Sequence, residues 1–140
     1  MNVVGTWQLM SYIITQGAKE SRPFGAQAKG LVVFTEEGWF SVQIMQPERP
    51  RFARNNLKTG TCEEVQAAFT GYIAYFGKYT IDLNTSIIQL EPVGALFPNW
   101  LDNTQIRSVN VSGETLRLST APVDTPRGPV TAQLTWQKFC

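Results

Sequence analysis

Three residues in this chain could supply the chemistry of a small enclosed site: Glu91, Tyr75 and Arg107. The 140 residues include no histidine, which removes Ser-His and Cys-His catalysis, imidazole metal sites and histidine proton shuttling. Any reaction must run on carboxylates, phenols, guanidinium, thiols, amides or backbone groups. Glu91 ends the apolar run "SIIQLE" immediately before Pro92. A carboxyl beside an apolar wall has its pKa raised by desolvation, which suits it to give or take a proton near neutral pH. Strand phase decides whether this applies. Ile87, Gln89 and Glu91 share one face, opposite Ser86, Ile88 and Leu90. If the first set looks inward, Gln89 and Glu91 are pocket groups; if outward, both sit in solvent.

Arg107 alternates with Gln105 and Val109. An inward arginine needs a carboxylate partner or an anionic ligand, because an unpaired buried charge is costly, and Glu91 is a reasonable cross-strand partner. "GYIAYFGKY" carries Tyr72, Tyr75 and Tyr79. Tyr75 and Tyr79 fall on one strand face with Gly77 between them, where the missing side chain leaves room beside a ring. Such phenols either hydrogen-bond a ligand carbonyl or are ordinary core tyrosines. "PERPRFAR" presents Arg49, Arg51 and Arg54 on a loop. One reading makes Arg51 a fork for a carboxylate, enolate or phosphate; the other leaves these arginines in solvent or paired to Glu48, Glu63 or Glu64.

The elements that must position these groups are mostly strands. Period-2 alternation marks residues 3–15, 29–35, 39–46, 74–82, 86–91, 104–111, 115–120 and 129–139, separated by turn signals such as Glu37-Gly38 and Ser112-Gly113. Eight strands joined largely by short turns predict an all-β fold, an up-and-down antiparallel barrel over residues 1–140 as one domain. The exception is residues 47–72, where Thr61 and Glu64 form a capping-box pattern and Val65, Ala68, Phe69 and Tyr72 recur at helical spacing. One short helix over about 62–72 is expected to cross an end of the barrel.

A barrel of this size is either filled by side chains or holds one small ligand. In the last strand Ala132, Leu134 and Trp136 should face in. Over 39–46 the phase is ambiguous, and the mixed set Trp39, Ser41, Gln43 and Met45 is assigned to the pocket, since ligand sites combine apolar walls with few polar groups. The connection "LEPVGALFPNWLDNTQIR" is too apolar for a free loop. Leu96, Phe97 and Trp100 are expected to fold over the barrel mouth as a partial lid, with Asn99 offering an amide inward and Pro92 and Pro98 limiting the entropy lost on closing.

Composition bounds the partners. Twelve Lys plus Arg against 11 Asp plus Glu give a formal charge of +1, which gathers neither nucleic acid nor a membrane surface. No apolar run reaches the roughly 18 residues of a membrane span, and the N-terminus lacks a leader pattern, so a cytoplasmic location is expected. On that reading the sequons at Asn84 and Asn110 are chance matches. Cys62 and Cys140 read as free thiols. With no metal-ligand spacing or glycine-rich phosphate loop, no metal or cofactor is expected. A homodimer is left open.

"GTWQL" at residues 5–9 opens the first strand with Gly-x-Trp. Together with "GLVVFTEEGWFSVQIMQPERPRFA", "GYIAYFGKYTID" and "LFPNWLDNTQIR", it resembles the small stand-alone lipocalin-like domain proteins of bacteria and fungi. The resemblance implies a calycin-type barrel, open at one end, that takes a small hydrophobic or amphipathic molecule. It fixes no single activity. Association of such domains with natural-product pathways favours a cofactor-free isomerase or cyclase using Glu91, Tyr75 and Arg107. The alternatives are a non-catalytic carrier or sensor, and a packed interaction module with Trp39, Phe52, Trp100 or Phe139 as exposed anchors. Trp7 is expected to plug the closed end, with a cation from a neighbouring strand over its ring.

Overall fold

Each strand pairs antiparallel with its neighbours, and the last closes on the first. The computed structural model describes residues 2–139. Among these, the chain runs through β1 (Gly5–Gln16), β2 (Lys19–Ser21), β3 (Lys29–Phe34), β4 (Trp39–Met45), α1 (Cys62–Thr70), β5 (Tyr72–Asp82), β6 (Ile87–Ala95), β7 (Gln105–Ser112), β8 (Thr115–Ser119), β9 (Val123–Thr125) and β10 (Gly128–Lys138). The order around the sheet is β1-β3-β4-β5-β6-β7-β8-β10, with β10 pairing back onto β1. This is the expected closed eight-stranded barrel with one helix. The short strands β2 and β9 extend the far ends of β1 and β10 and fall in segments that the alternation did not mark.

The pleat sends alternate side chains inward, and at one end they fill the barrel. Trp7, Phe34, Phe40, Ile88, Leu90, Val109 and Leu116 are all buried there. Each contributes about 1.5–3 kcal/mol on leaving water, which makes this end the main source of stability. Trp7 is the plug: its Nε1 donates to the Val3 carbonyl at 2.8 Å, and Lys138 Nζ lies 5.5 Å from its ring. This meets the expectation from the Gly-x-Trp opening. Tyr79 belongs to the same end. Its hydroxyl donates to the Thr35 carbonyl at 2.6 Å and its ring meets Phe34 edge-on at 5.0 Å.

Two bulges change which residues face in. Along β1 and β10, Leu9 pairs with Trp136 and Ser11 with Thr135, so Met10 is the extra residue and points out. The inward phase of β1 therefore changes from odd to even positions and delivers Tyr12 to the interior. Along β5 and β6, Phe76 pairs with Gly94 and Gly77 with Pro92, which leaves Val93 as the extra residue, exposed. A side chain at Gly77 would collide with the Glu91 carbonyl, so glycine is required for this close approach.

Helix α1 begins at the predicted capping box. The Glu64 amide donates to Thr61 Oγ1 at 3.1 Å, and the Thr61 amide donates to Glu64 Oε1 at 2.8 Å. The Ala53 amide donates to Glu64 Oε2 at 2.7 Å, tying the preceding loop to the helix. The helix ends earlier than expected, at Thr70 with Gly71 following, so Tyr72 starts β5 instead. No helical residue is buried, and Val65 and Phe69 are exposed. The helix thus does not plug the barrel end. It stands outside, tied by Arg49, whose Nη1 donates to the Ala68 carbonyl at 3.0 Å near the helix C-terminus.

Candidate functional site

At the end opposite Trp7 the barrel is not filled. The inward residues of six strands, with Trp100 of the connection after β6, line a cavity of about 200 Å³. Its apolar wall comes from Val42 and Ile44 of β4, Ile73 of β5, and Leu118 of β8. Strand β10 contributes Ala132, Leu134 and Trp136. A cavity of roughly 150 Å³ holds a benzene-sized molecule, so this one suits a single substituted aromatic ring.

Aromatic side chains form a connected series from floor to lid. Phe40 meets Tyr75 edge-on at 5.5 Å, Tyr75 meets Trp100 at 5.0 Å, and Trp100 meets Phe97 at 5.6 Å. The apolar connection after β6 is therefore a lid in part. Trp100 lines the cavity, whereas Phe97 and Leu96 are exposed, with Phe97 buttressing Trp100 from outside. Strand β6 itself continues to Ala95, which shortens the loop to a single 3-10 turn at Pro98–Trp100. Phe24 is buried and meets Tyr12 edge-on at 5.5 Å.

The polar groups of the cavity wall are Tyr12 of β1, Tyr75 of β5, Arg107 of β7 and Thr120. Arg107 faces in from β7; its Nη2 donates to Gln105 Oε1 at 2.6 Å and its Nη1 to the Ile106 carbonyl at 2.9 Å. Burial pushes the Tyr75 phenol above its usual range, and the charge of the nearby Arg107 guanidinium offsets part of that rise. Tyr12 is likewise raised by burial and partly lowered by Arg107. Both phenols keep their protons at neutral pH, so each retains an O–H that can be donated to a ligand. Thr120 is also on the wall, its Oγ1 accepting from the Ala132 amide at 2.9 Å. Among the described residues that line the cavity there is no carboxylate. No group of three or more Cys, Asp or Glu side chains is gathered for a metal ion among the described residues.

The sequence-predicted residues divide accordingly. Tyr75, Arg107, Trp100, Leu134 and Trp136 meet at the cavity. Glu91 and Gln89 do not: Ile88, Leu90 and Pro92 hold the inward positions of β6, and Glu91 is exposed opposite Lys78. The Glu91–Arg107 pair is therefore absent, and Arg107 lies across from Ile88 instead. In β4 the inward set is Phe40, Val42 and Ile44, which turns Trp39, Ser41, Gln43 and Met45 outward. Trp39 there lies 5.4 Å from Lys78 Nζ, and Gln43 accepts from the Tyr72 hydroxyl at 2.6 Å on the outer face.

Tyr72 is outside the cavity as well, its ring 5.0 Å from the Arg49 guanidinium. Phe69 is exposed on the helix and Asn99 on the lid turn. Arg51 is exposed in an open surface depression with Phe52 and Arg54, away from the barrel interior. Tyr79 faces in but belongs to the filled end. The residues missed by sequence reasoning are Tyr12, Val42, Ile44, Ile73, Leu118 and Thr120. The Met10 bulge concealed Tyr12, whereas the alternation of β5 and β8 carried the signal for Ile73 and Leu118. Cys62 is a free, exposed thiol; Cys140 lies outside the described residues. No helix among the described residues is long and apolar enough to cross a membrane.

Comparison with known proteins agrees with this architecture. The family model of a lipocalin-like domain matches residues 4–139. The chain is also 32% identical over 106 residues to the 4'-hydroxy-3'-methoxypropiophenone carrier protein ppsC of Aspergillus oryzae, an alignment that spans 71% of this chain and 96% of that protein.

Proposed function

The chain belongs to the lipocalin-like domain family, and from that premise we propose that it is a non-catalytic carrier of a small aromatic ketone of natural-product chemistry. The observation that carries this reading is the composition of the cavity: a largely apolar cup of about 200 Å³ with a guanidinium and two phenols in its lining and no carboxylate on its described wall. A carrier needs shape, water exclusion and a few orienting hydrogen bonds, all of which such a cup supplies. The ligand named for the Aspergillus oryzae relative has one ring, a hydroxyl, a methoxyl and a short acyl chain, a size that suits this volume.

The cofactor-free isomerase or cyclase is the second reading, and one feature favours it. Tyr75 and Arg107 both line the cavity, and a phenol beside a guanidinium can stabilise an oxyanion. It no longer has Glu91 to move a proton, and a phenol held above its usual pKa is a poor base at neutral pH. Titration with 4'-hydroxy-3'-methoxypropiophenone, read from the fluorescence of Trp100 and Trp136, separates the readings when followed by mass spectrometry and chromatography of the recovered compound. Saturable one-to-one binding with unchanged compound supports the carrier. Conversion to an isomer by the protein, absent in buffer, supports the enzyme. No saturable change sinks the aryl-ketone assignment.

A further inference from the structure

Arg107 is a half-buried cation whose protein partners are both neutral. The groups that face it from the elements around the cavity are Tyr12 of β1, Tyr75 of β5, Gln105 of its own strand and Trp100 of the lid. Among the described residues, none of these is a carboxylate. A guanidinium carries five N–H donors, and each phenol keeps a donor of its own, so these three side chains offer donors in excess of the acceptors they meet. Taking a cation out of water costs free energy that neutral acceptors repay only in part, and an anionic oxygen is the complement that repays it best.

Resting on the carrier reading, we infer that Arg107, with the hydroxyls of Tyr12 and Tyr75, forms an oxyanion site, and that the protein takes a para-acyl phenol as its phenolate. Conjugation spreads the negative charge of such a phenolate from the phenol oxygen to the ketone. The ring then lies among the edges of Tyr75 and Trp100, and the ionised oxygen meets the guanidinium. Binding thereby selects one ionisation state, and a proton leaves for solvent as the ligand enters.

The test uses 4-hydroxyacetophenone and its methyl ether with the intact protein, at pH values below the free phenol's own pKa, where the phenolate is recognised by its longer-wavelength absorption. The expected result is a phenolate spectrum for the bound phenol. Affinity should rise about tenfold per pH unit until the free phenol ionises, then level off. The methyl ether, which cannot ionise, should bind at least about tenfold more weakly. Arg107→Gln should abolish the phenolate band, and Arg107→Lys should keep part of it as a point charge, with circular dichroism confirming the barrel. A neutral-phenol spectrum with equal binding of the ether overturns the inference and leaves the carrier reading standing. This comparison uses the unmodified protein and does not depend on how the variants fold. A band that survives Arg107→Gln removes Arg107 from the site, and failure of both probes to bind overturns the inference and the aryl-ketone reading together.

Discussion

Ala132→Leu tests whether the space above Trp136 is truly unfilled. Ala132 is half-buried on the inward face of β10 and lines the cavity, and its backbone is fixed by Thr120, the residue that follows β8. Leucine adds carbon atoms worth about 0.8 kcal/mol each when buried, or roughly 2.4 kcal/mol for the set. Ordering the new side chain costs about 0.5–1 kcal/mol, which leaves a net gain of about 1.5 kcal/mol. For a chain of this length that raises Tm by about 5 °C. The same substitution removes the volume that a ring would occupy, so ligand binding should fall below detection while stability rises. Calorimetry and fluorescence titration of the same preparations read both effects. The sign decides the matter: in a fully packed barrel the added carbons would cost about 1–3 kcal/mol, and a lowered Tm would refute the cavity.

Three further outcomes follow from particular residues. Glu91→Gln should leave ligand affinity unchanged and stability within about 0.5 kcal/mol, as measured by titration and urea unfolding, because Glu91 is exposed on the outer face. Gly77→Ala should cost about 3 kcal/mol or abolish soluble expression, since the new carbon meets the Glu91 backbone; a urea midpoint equal to that of the parent would contradict the bulge geometry. Burial raises the phenols of Tyr12, Tyr75 and Tyr79, so above about pH 10 the unfolded chain ionises first and binds fewer protons than the fold. Stability should be fully present below that pH and lost as pH rises through the raised values. Tyr12→Phe with Tyr75→Phe should flatten the loss in urea midpoint between about pH 9 and about pH 11, and identical slopes would count against the buried phenols.

The barrel was legible because its strands alternate cleanly and its turns are marked, and the helix start because Thr61 and Glu64 are three apart. Tyr75 and Tyr79 share a face as their spacing requires, and Ala132, Leu134 and Trp136 face in as the last strand suggests. The site was only partly legible, for reasons of phase. Strand β4 has large apolar residues on both faces, so its pattern could not choose between Trp39 and Phe40. Glu91 was read as the end of a strand that in fact continues to Ala95 through the Val93 bulge, with the buried positions held by Ile88, Leu90 and Pro92. Tyr12 was lost to the Met10 bulge, because one inserted residue reverses every later side chain and leaves no mark in the alternation. Arg51 and Phe69 carried suitable chemistry on segments that the fold holds outside the barrel.

The central claim is a location: a small aromatic molecule held between Tyr75, Trp100 and Leu134. Methyl-labelled protein with bound 4'-hydroxy-3'-methoxypropiophenone tests it directly through intermolecular nuclear Overhauser effects. Ring-proton contacts are expected to the methyls of Ile44, Ile73, Leu118 and Leu134, which line the cavity. Contacts instead to Leu57, Val65 or Val93, all on the outer surface, would contradict it.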